Sequence, residues 1–155
     1  MAKAARGAGA PPAQATAFGA AALCHLIAER ETRALSDALD TLPLGPILSA
    51  PLALTRLLEA ANGEVARKEI TCNGFADLMI SYLDAQPYET KWEISESILT
   101  ATLFLKQPRK VGGTARVTLP DDLVPKLRNL AAKTFVPESD ASRLSGAGAG
   151  LTDND

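Results

Sequence analysis

Histidine, cysteine and aromatic residues are scarce in this 155-residue chain, which has one histidine, two cysteines and 5% aromatic residues. Two cysteines cannot form the dense disulfide framework of a small secreted domain, so the composition fits a reducing compartment. A zinc site needs three or four ligands, and His25, Cys24 and the distant Cys72 do not supply them. We therefore expect no metal and no cofactor, with both cysteines acting as small apolar residues of the core.

Catalytic motifs and membrane-spanning segments are also lacking. A cysteine nucleophile needs an adjacent base and an orienting group, and the carboxylates are scattered along the chain. Gly112 and Gly113 lack the later glycine and the lysine-serine pair of a phosphate-binding loop. No apolar run is long enough to span a membrane. We expect a protein that is not an enzyme, not secreted and not in a membrane, located in the cytoplasm or in a virion. An enzyme of unrecognised type is a third hypothesis, which a deep pocket with converging polar groups would support.

Large apolar side chains are nearly absent from both ends of the chain. Residues 1–16 and 137–155 consist mostly of alanine, glycine, proline, serine and other small or polar residues. Such segments bury too little surface to offset the entropy of ordering them. The sequence therefore predicts a flexible N-terminal arm over 1–16, a single helical domain with a C-terminal hairpin and helix over 17–136, and a flexible tail over 137–155.

What the sequence does contain is apolar residues at helical spacing. This pattern predicts helices over about 17–39, 49–61, 75–83 and 90–105, and a fifth that begins near residue 120. The helix over 90–105 has the strongest start signal, because Thr90 and Glu93 have the spacing of a capping box. Residues 64–72 fit either a strand or an irregular link.

A change of period follows Pro108. Residues 109–111 and 114–119 alternate around Gly112-Gly113, which predicts a β-hairpin with a two-residue loop. The predicted fold class is therefore mainly α: a compact domain of about five helices with one short β-hairpin near residues 109–119 and flexible arms at both ends.

Charge is unevenly distributed along the chain. Residues 97–133 contain seven basic and two acidic residues, so this segment has a formal charge of +5 and the remainder −7. A local positive surface attracts phosphate groups or an acidic neighbour. We predict an interaction patch formed by Lys106, Arg109, Lys110 and Arg116.

The segment TARVTLPDDLVPKLRNLAAK, residues 114–133, resembles the strand and first helix of the ribbon-helix-helix DNA-binding family. The resemblance covers an alternating strand, a proline and an amphipathic helix. It implies a DNA-binding element over 114–134 in which Thr114, Arg116 and Thr118 face the major groove. The second helix of that family has no counterpart, because residues 136–150 are poor helix formers.

Two functions follow from these observations. The first is a non-enzymatic structural or assembly subunit of a larger complex, for example a viral or phage particle component. Its partners are copies of itself, as a homo-oligomer, or other subunits, bound through its arms and its basic hairpin. The alternative is a DNA-binding regulator or accessory protein that uses the segment 114–134, with nucleic acid as the partner.

Overall fold

A four-stranded antiparallel sheet and six helices form the part of the chain that the structure, a computed structural model, describes: residues 1–110 and 116–134. The prediction of a mainly helical domain with one short hairpin is therefore wrong, and the fold is mixed α/β. The helices are α1 (Ala2–Gly7), α2 (Pro12–Ile27), α3 (Arg33–Asp40), α4 (Pro46–Glu59), α5 (Ala76–Asp84) and α6 (Leu123–Ala132), and the strands are β1 (Ala61–Asn62), β2 (Val65–Thr71), β3 (Tyr88–Ser95) and β4 (Ile98–Pro108).

The largest difference from the sequence prediction lies at residues 88–108, where a β-hairpin replaces the expected helix. Strands β3 and β4 pair antiparallel, and the turn between them places Glu96 at φ 55°. Leu99, Ala101 and Leu103 are buried at every second position, which is the period of a strand with one buried face. The same segment also fits helical spacing, so its period is ambiguous in the sequence. Pairing with β2 and β3 on its two sides selects the strand.

The hairpin predicted near residues 109–119 is also wrong. Strand β4 ends at Pro108, and residues 116–120 have no regular secondary structure, while residues 111–115 lie outside the described residues. The ambiguous segment 64–72 is strand β2, which pairs antiparallel with β4 from Val65 opposite Phe104 to Thr71 opposite Ile98.

The helices agree better with the sequence. Helices α5 and α6 occupy the positions predicted over 75–83 and from residue 120. The helix predicted over 17–39 is two helices, α2 and α3, because the chain turns between them with Glu29 at φ 53°. Helix α4 begins at Pro46, where proline has no amide hydrogen to leave unpaired.

The N-terminal segment, which the sequence suggested as an arm, forms α1 and the first turn of α2. Ala4 and Ala5 are fully buried where α1 packs against α2 and α6. A Cβ on Gly7 would lie 1.7 Å from the carbonyl oxygen of Leu130, so only glycine allows this approach. Alanine and glycine therefore order the segment by permitting close backbone contact. The predicted tail over 137–155 lies outside the described residues.

The helices stack on one face of the sheet. Helix α4 packs on β2, and α5 packs between α4, α2 and β3. Six consecutive residues of α5, from Leu78 to Leu83, are buried, as expected for a helix enclosed on all sides. The opposite face of the sheet carries no helix among the described residues and is exposed or half-buried.

Candidate interaction surface

Strand β3 forms one edge of the sheet, in the order β1-β2-β4-β3. Its pairing with β4 decides which backbone groups remain accessible. On β4, the amide of Leu105 donates to the carbonyl oxygen of Glu64 over 2.9 Å. The amide of Cys72 donates to the carbonyl oxygen of Ser97 over the same distance. Odd-numbered residues of β4 therefore direct their backbone groups toward β2, and even-numbered residues direct theirs toward β3.

The register then assigns the backbone groups of β3. Because Thr102 and Thr100 lie opposite Lys91 and Glu93, these two residues of β3 exchange their hydrogen bonds with β4. The N–H and C=O groups of Thr90, Trp92 and Ile94 point the other way. They face an edge that pairs with no strand in the part of the chain that the structure describes.

Two large apolar side chains lie along this edge. Trp92 is 43% exposed and Ile94 is 42% exposed. They lie opposite Ala101 and Leu99, both fully buried, and so share the helix-covered face of the sheet. This face is buried at Leu99 and Ala101 of β4 but is exposed at Trp92 and Ile94 of β3. We call the strand residues Thr90 to Ile94, of which Thr90 is half-buried and the others are exposed, the β3 edge.

The other face of β3 is charged. Glu89, Lys91 and Glu93 follow one another on it and alternate in sign. Lys91 Nζ lies 5.3 Å from the centroid of the Phe104 ring on β4, within the range of a cation–π contact. A lysine on an edge strand hinders pairing with unrelated strands, because its charge is unfavourable unless the added strand offers it an opposite charge. The β3 edge thus combines open backbone groups and apolar side chains with a defined charge pattern.

A histidine and a serine meet in the core. His25 Nδ1 lies 2.9 Å from Ser81 Oγ, and His25 Nε2 donates to the carbonyl oxygen of Glu31 over 2.9 Å. Ser81 Oγ in turn donates to the carbonyl oxygen of Asp77 over 2.7 Å. Both side chains are fully buried, so no substrate reaches the hydroxyl. The pair joins α2 to α5.

Asp84 extends this network with two arginines. Arg30 donates to its carboxylate over 2.7 Å and also to Ser81 Oγ over 3.0 Å. Arg109 lies 3.2 Å from the other carboxylate oxygen and donates to the Asp84 carbonyl oxygen as well. Asp84 therefore ties the residue after β4 and the turn after α2 to the end of α5.

The residues of the predicted basic patch are differently engaged. Arg109 is held by Asp84, and Lys106 forms an ion pair with Glu64. Lys110 and Arg116 are exposed. Two of the four cations are thus already paired within this chain, and binding of a partner by the patch stays a prediction.

Arg116 and Thr118, two of the suggested DNA-facing residues, lie apart from any strand. Thr118 and Arg116 are exposed in an irregular segment, and Thr114 lies outside the described residues. Helix α6 follows, with Leu123 and Leu127 buried. DNA binding through 114–134 stays a prediction.

A groove of about 530 Å³ lies between α4 and β2. Ala50, Ile70 and Met79 form apolar parts of its lining, and Arg56 and Lys68 contribute positive charge. Cys72 also lines it. Burial raises the pKa of this thiol, which keeps it protonated and weakly reactive near neutral pH.

A smaller groove of about 320 Å³ is lined by Glu31, Asp37, Asp77 and Glu96, among others. Within residues 1–110 and 116–134, no group of three or more histidine, cysteine, aspartate or glutamate side chains is placed to hold a metal ion. None of the helices in the same residues is long and apolar enough to cross a membrane.

The β3 edge was missed by the sequence prediction. Its signal was the spacing of Trp92 and Ile94 two residues apart, which the capping-box pattern at Thr90 and Glu93 obscured. No protein-family model, curated protein or solved structure matches the chain.

Proposed function

We propose that this protein is a non-catalytic assembly subunit that binds other protein chains through the β3 edge. The observation that carries the proposal is the coincidence of open backbone groups at Thr90, Trp92 and Ile94 with two exposed apolar side chains. An unpaired edge strand is a template for adding a strand from another chain, because the backbone groups supply affinity and the side chains supply specificity.

The exposure of Trp92 supports this function further. A tryptophan buries a large apolar area when it is covered, and it is enriched among the residues that dominate binding energy at protein interfaces. The complete burial of Ser81 and His25 supports the non-catalytic part of the proposal, because it favours a structural role for this pair over a catalytic one.

Photo-crosslinking in the cells that make the protein tests this function. Benzoyl-phenylalanine replaces Trp92 in one variant and Thr55, an exposed residue of α4, in a control variant. We expect covalent protein adducts from position 92 well above those from position 55. Equal or absent adduct formation at position 92 contradicts the proposed function.

A further inference from the structure

We infer that the partner at the β3 edge is a second copy of this chain, whose β3 pairs antiparallel with the first and places Trp92 on the two-fold axis. This inference rests on the proposed function and names its partner. In such a pair the same surface of both copies meets, which closes the assembly at a dimer. The two sheets then continue into one.

The backbone restricts the register. Hydrogen bonds form between residues whose N–H and C=O groups face the edge, and these are Thr90, Trp92 and Ile94. With Trp92 opposite Trp92 of the partner subunit, Thr90 lies opposite Ile94 of the partner subunit, and Ile94 opposite Thr90 of the partner subunit. All three edge-facing residues then exchange hydrogen bonds across the interface.

Charge selects among the neighbouring registers. Centring the pair on Trp92 places Lys91 opposite Glu93 of the partner subunit, and the two-fold axis repeats this contact. Centring on Lys91 places two lysines face to face, and centring on Glu93 does the same with two glutamates. Like charges directly opposite on paired strands repel, and opposite charges attract.

One other register keeps opposite charges together. Centring on Thr90 places Lys91 opposite Glu89 of the partner subunit. It would also place Ile94 opposite residue 86, which precedes β3, and it would run the ladder through the irregularity at Tyr88/Glu89. The register centred on Trp92 avoids both problems and pairs the apolar residues with each other.

Apolar burial favours the same arrangement. In the Trp92 register the two Trp92 side chains meet on the helix-covered face, and each Ile94 side chain lies beside a Thr90 methyl group. Facing residues of paired strands have their Cβ atoms about 5 Å apart, close enough for ring contact. The two most exposed apolar side chains of β3 thereby leave water together.

Dilution of the full-length chain tests the dimer. Trp92 is the single tryptophan, so its fluorescence reports on this interface alone. Light scattering on concentrated protein should give twice the chain mass of 16.2 kDa. Dilution should shift the Trp92 emission to longer wavelength as the indole returns to water, at the same concentration at which the mass halves.

Charge reversal tests the register. Lys91→Glu or Glu93→Lys alone should weaken dimerisation about tenfold or more, because each turns two attractive contacts into repulsive ones. The double variant Lys91→Glu/Glu93→Lys should restore dimerisation, since opposite charges meet again. Arg67→Glu is the matched control, because it reverses a charge on β2 at the far side of the sheet and should leave the dimer unchanged.

Three outcomes overturn the inference. They are a monomer at every concentration up to about millimolar, a double variant that remains as weak as the single variants, and weakening by Arg67→Glu, which would indicate pairing of β3 with β2 of another copy. If crosslinking at position 92 gives adducts whose mass differs from that of two chains, and the purified protein is a monomer, the homodimer is overturned. The proposed function would remain intact in that case. Absence of adducts and of dimers would remove both.

Discussion

Two neighbouring residues of α5, Ser81 and Tyr82, differ in how their buried hydroxyl groups are hydrogen-bonded. Ser81 contacts His25, Arg30 and the carbonyl oxygen of Asp77. The hydroxyl of Tyr82, one residue later, has no hydrogen-bond partner among the described residues. A buried polar group without a partner costs free energy, because folding removes its bonds to water and returns none.

Tyr82→Phe tests this cost. Removing the unpaired hydroxyl should leave the free energy of unfolding unchanged or raise it by about 1 kcal/mol, since the ring and its packing are retained. Urea denaturation monitored by circular dichroism measures the change. Tyr88→Phe, at a half-buried site on β3, is the control and should change stability by less than about 0.5 kcal/mol. A clear loss of stability in Tyr82→Phe would mean that the hydroxyl is satisfied.

Asp84→Asn tests the two-arginine cluster. The neutral amide no longer balances Arg30 and Arg109, whose contacts with Asp84 are largely screened from water, so the free energy of unfolding should fall by about 1–3 kcal/mol. Asp37→Asn is the matched control because its ion pair with Arg33 is exposed. That change should cost no more than about 0.5 kcal/mol. If Asp84→Asn and Asp37→Asn lower the free energy of unfolding equally in urea denaturation, the two-arginine cluster does not stabilise the fold more than an exposed ion pair does.

At the scale of elements, packing outweighs composition at the N-terminus. The residues of α1 are small, and the sequence alone suggests that they bury too little surface to become ordered. Ala4 and Ala5 nevertheless lie fully buried against α2 and α6. Small side chains let helix backbones approach closely, and each atom at such a contact gains dispersion energy.

Deletion of residues 1–10 should therefore destabilise the protein by about 2 kcal/mol, since it exposes apolar surface of α2 and α6. Hydrogen exchange should speed up most in α6. Gly7→Ala should act in the same direction because of the clash with the Leu130 carbonyl. Gly19→Ala should cost less, because its Cβ would lie 2.9 Å from the Ala2 Cβ and 3.3 Å from the Ala2 amide nitrogen, a much milder approach than at Gly7. Unchanged stability after the deletion would support the prediction that this segment is a flexible arm.

For the whole molecule, burial of neutral acids predicts how stability depends on pH. Burial raises the pKa of Tyr82 and of Cys72. Both groups keep their protons up to a higher pH in the folded state than in the unfolded chain. Their contribution to the free energy of unfolding is therefore complete at pH values below the ordinary pKa, which is about 8.5 for cysteine and 10 for tyrosine. It is lost as the pH rises above these values.

We accordingly expect Cys72 and Tyr82 to add no pH dependence to the free energy of unfolding from neutral pH to about pH 8.5, and to lower it in more alkaline solution. Urea denaturation at a series of pH values measures this. The double variant Cys72→Ala/Tyr82→Phe should lose stability less steeply than the wild type over that range. Identical slopes for the two proteins would show that other groups control alkaline unfolding.

The amino-acid sequence by itself determined the elements whose signals are local. Helix α5 follows from apolar residues at helical spacing, and α6 follows from a proline, two aspartates and the Leu123–Leu127 stripe. These signals act within a few residues, because helix hydrogen bonds join residues four apart. The asymmetry of charge along the chain is likewise a property of the sequence alone.

Only the tertiary structure decided the rest. Residues 88–108 satisfy two periods, and β2, distant in sequence, selects the strand by pairing with β4. The same pairing directs the backbone of Trp92 to an open edge and places its side chain on the helix-covered face, where it stays 43% exposed. Arg109, predicted to face a partner, forms an ion pair with Asp84 within the chain. Contacts between residues far apart in the chain made these choices, and a pattern of neighbouring residues does not contain them.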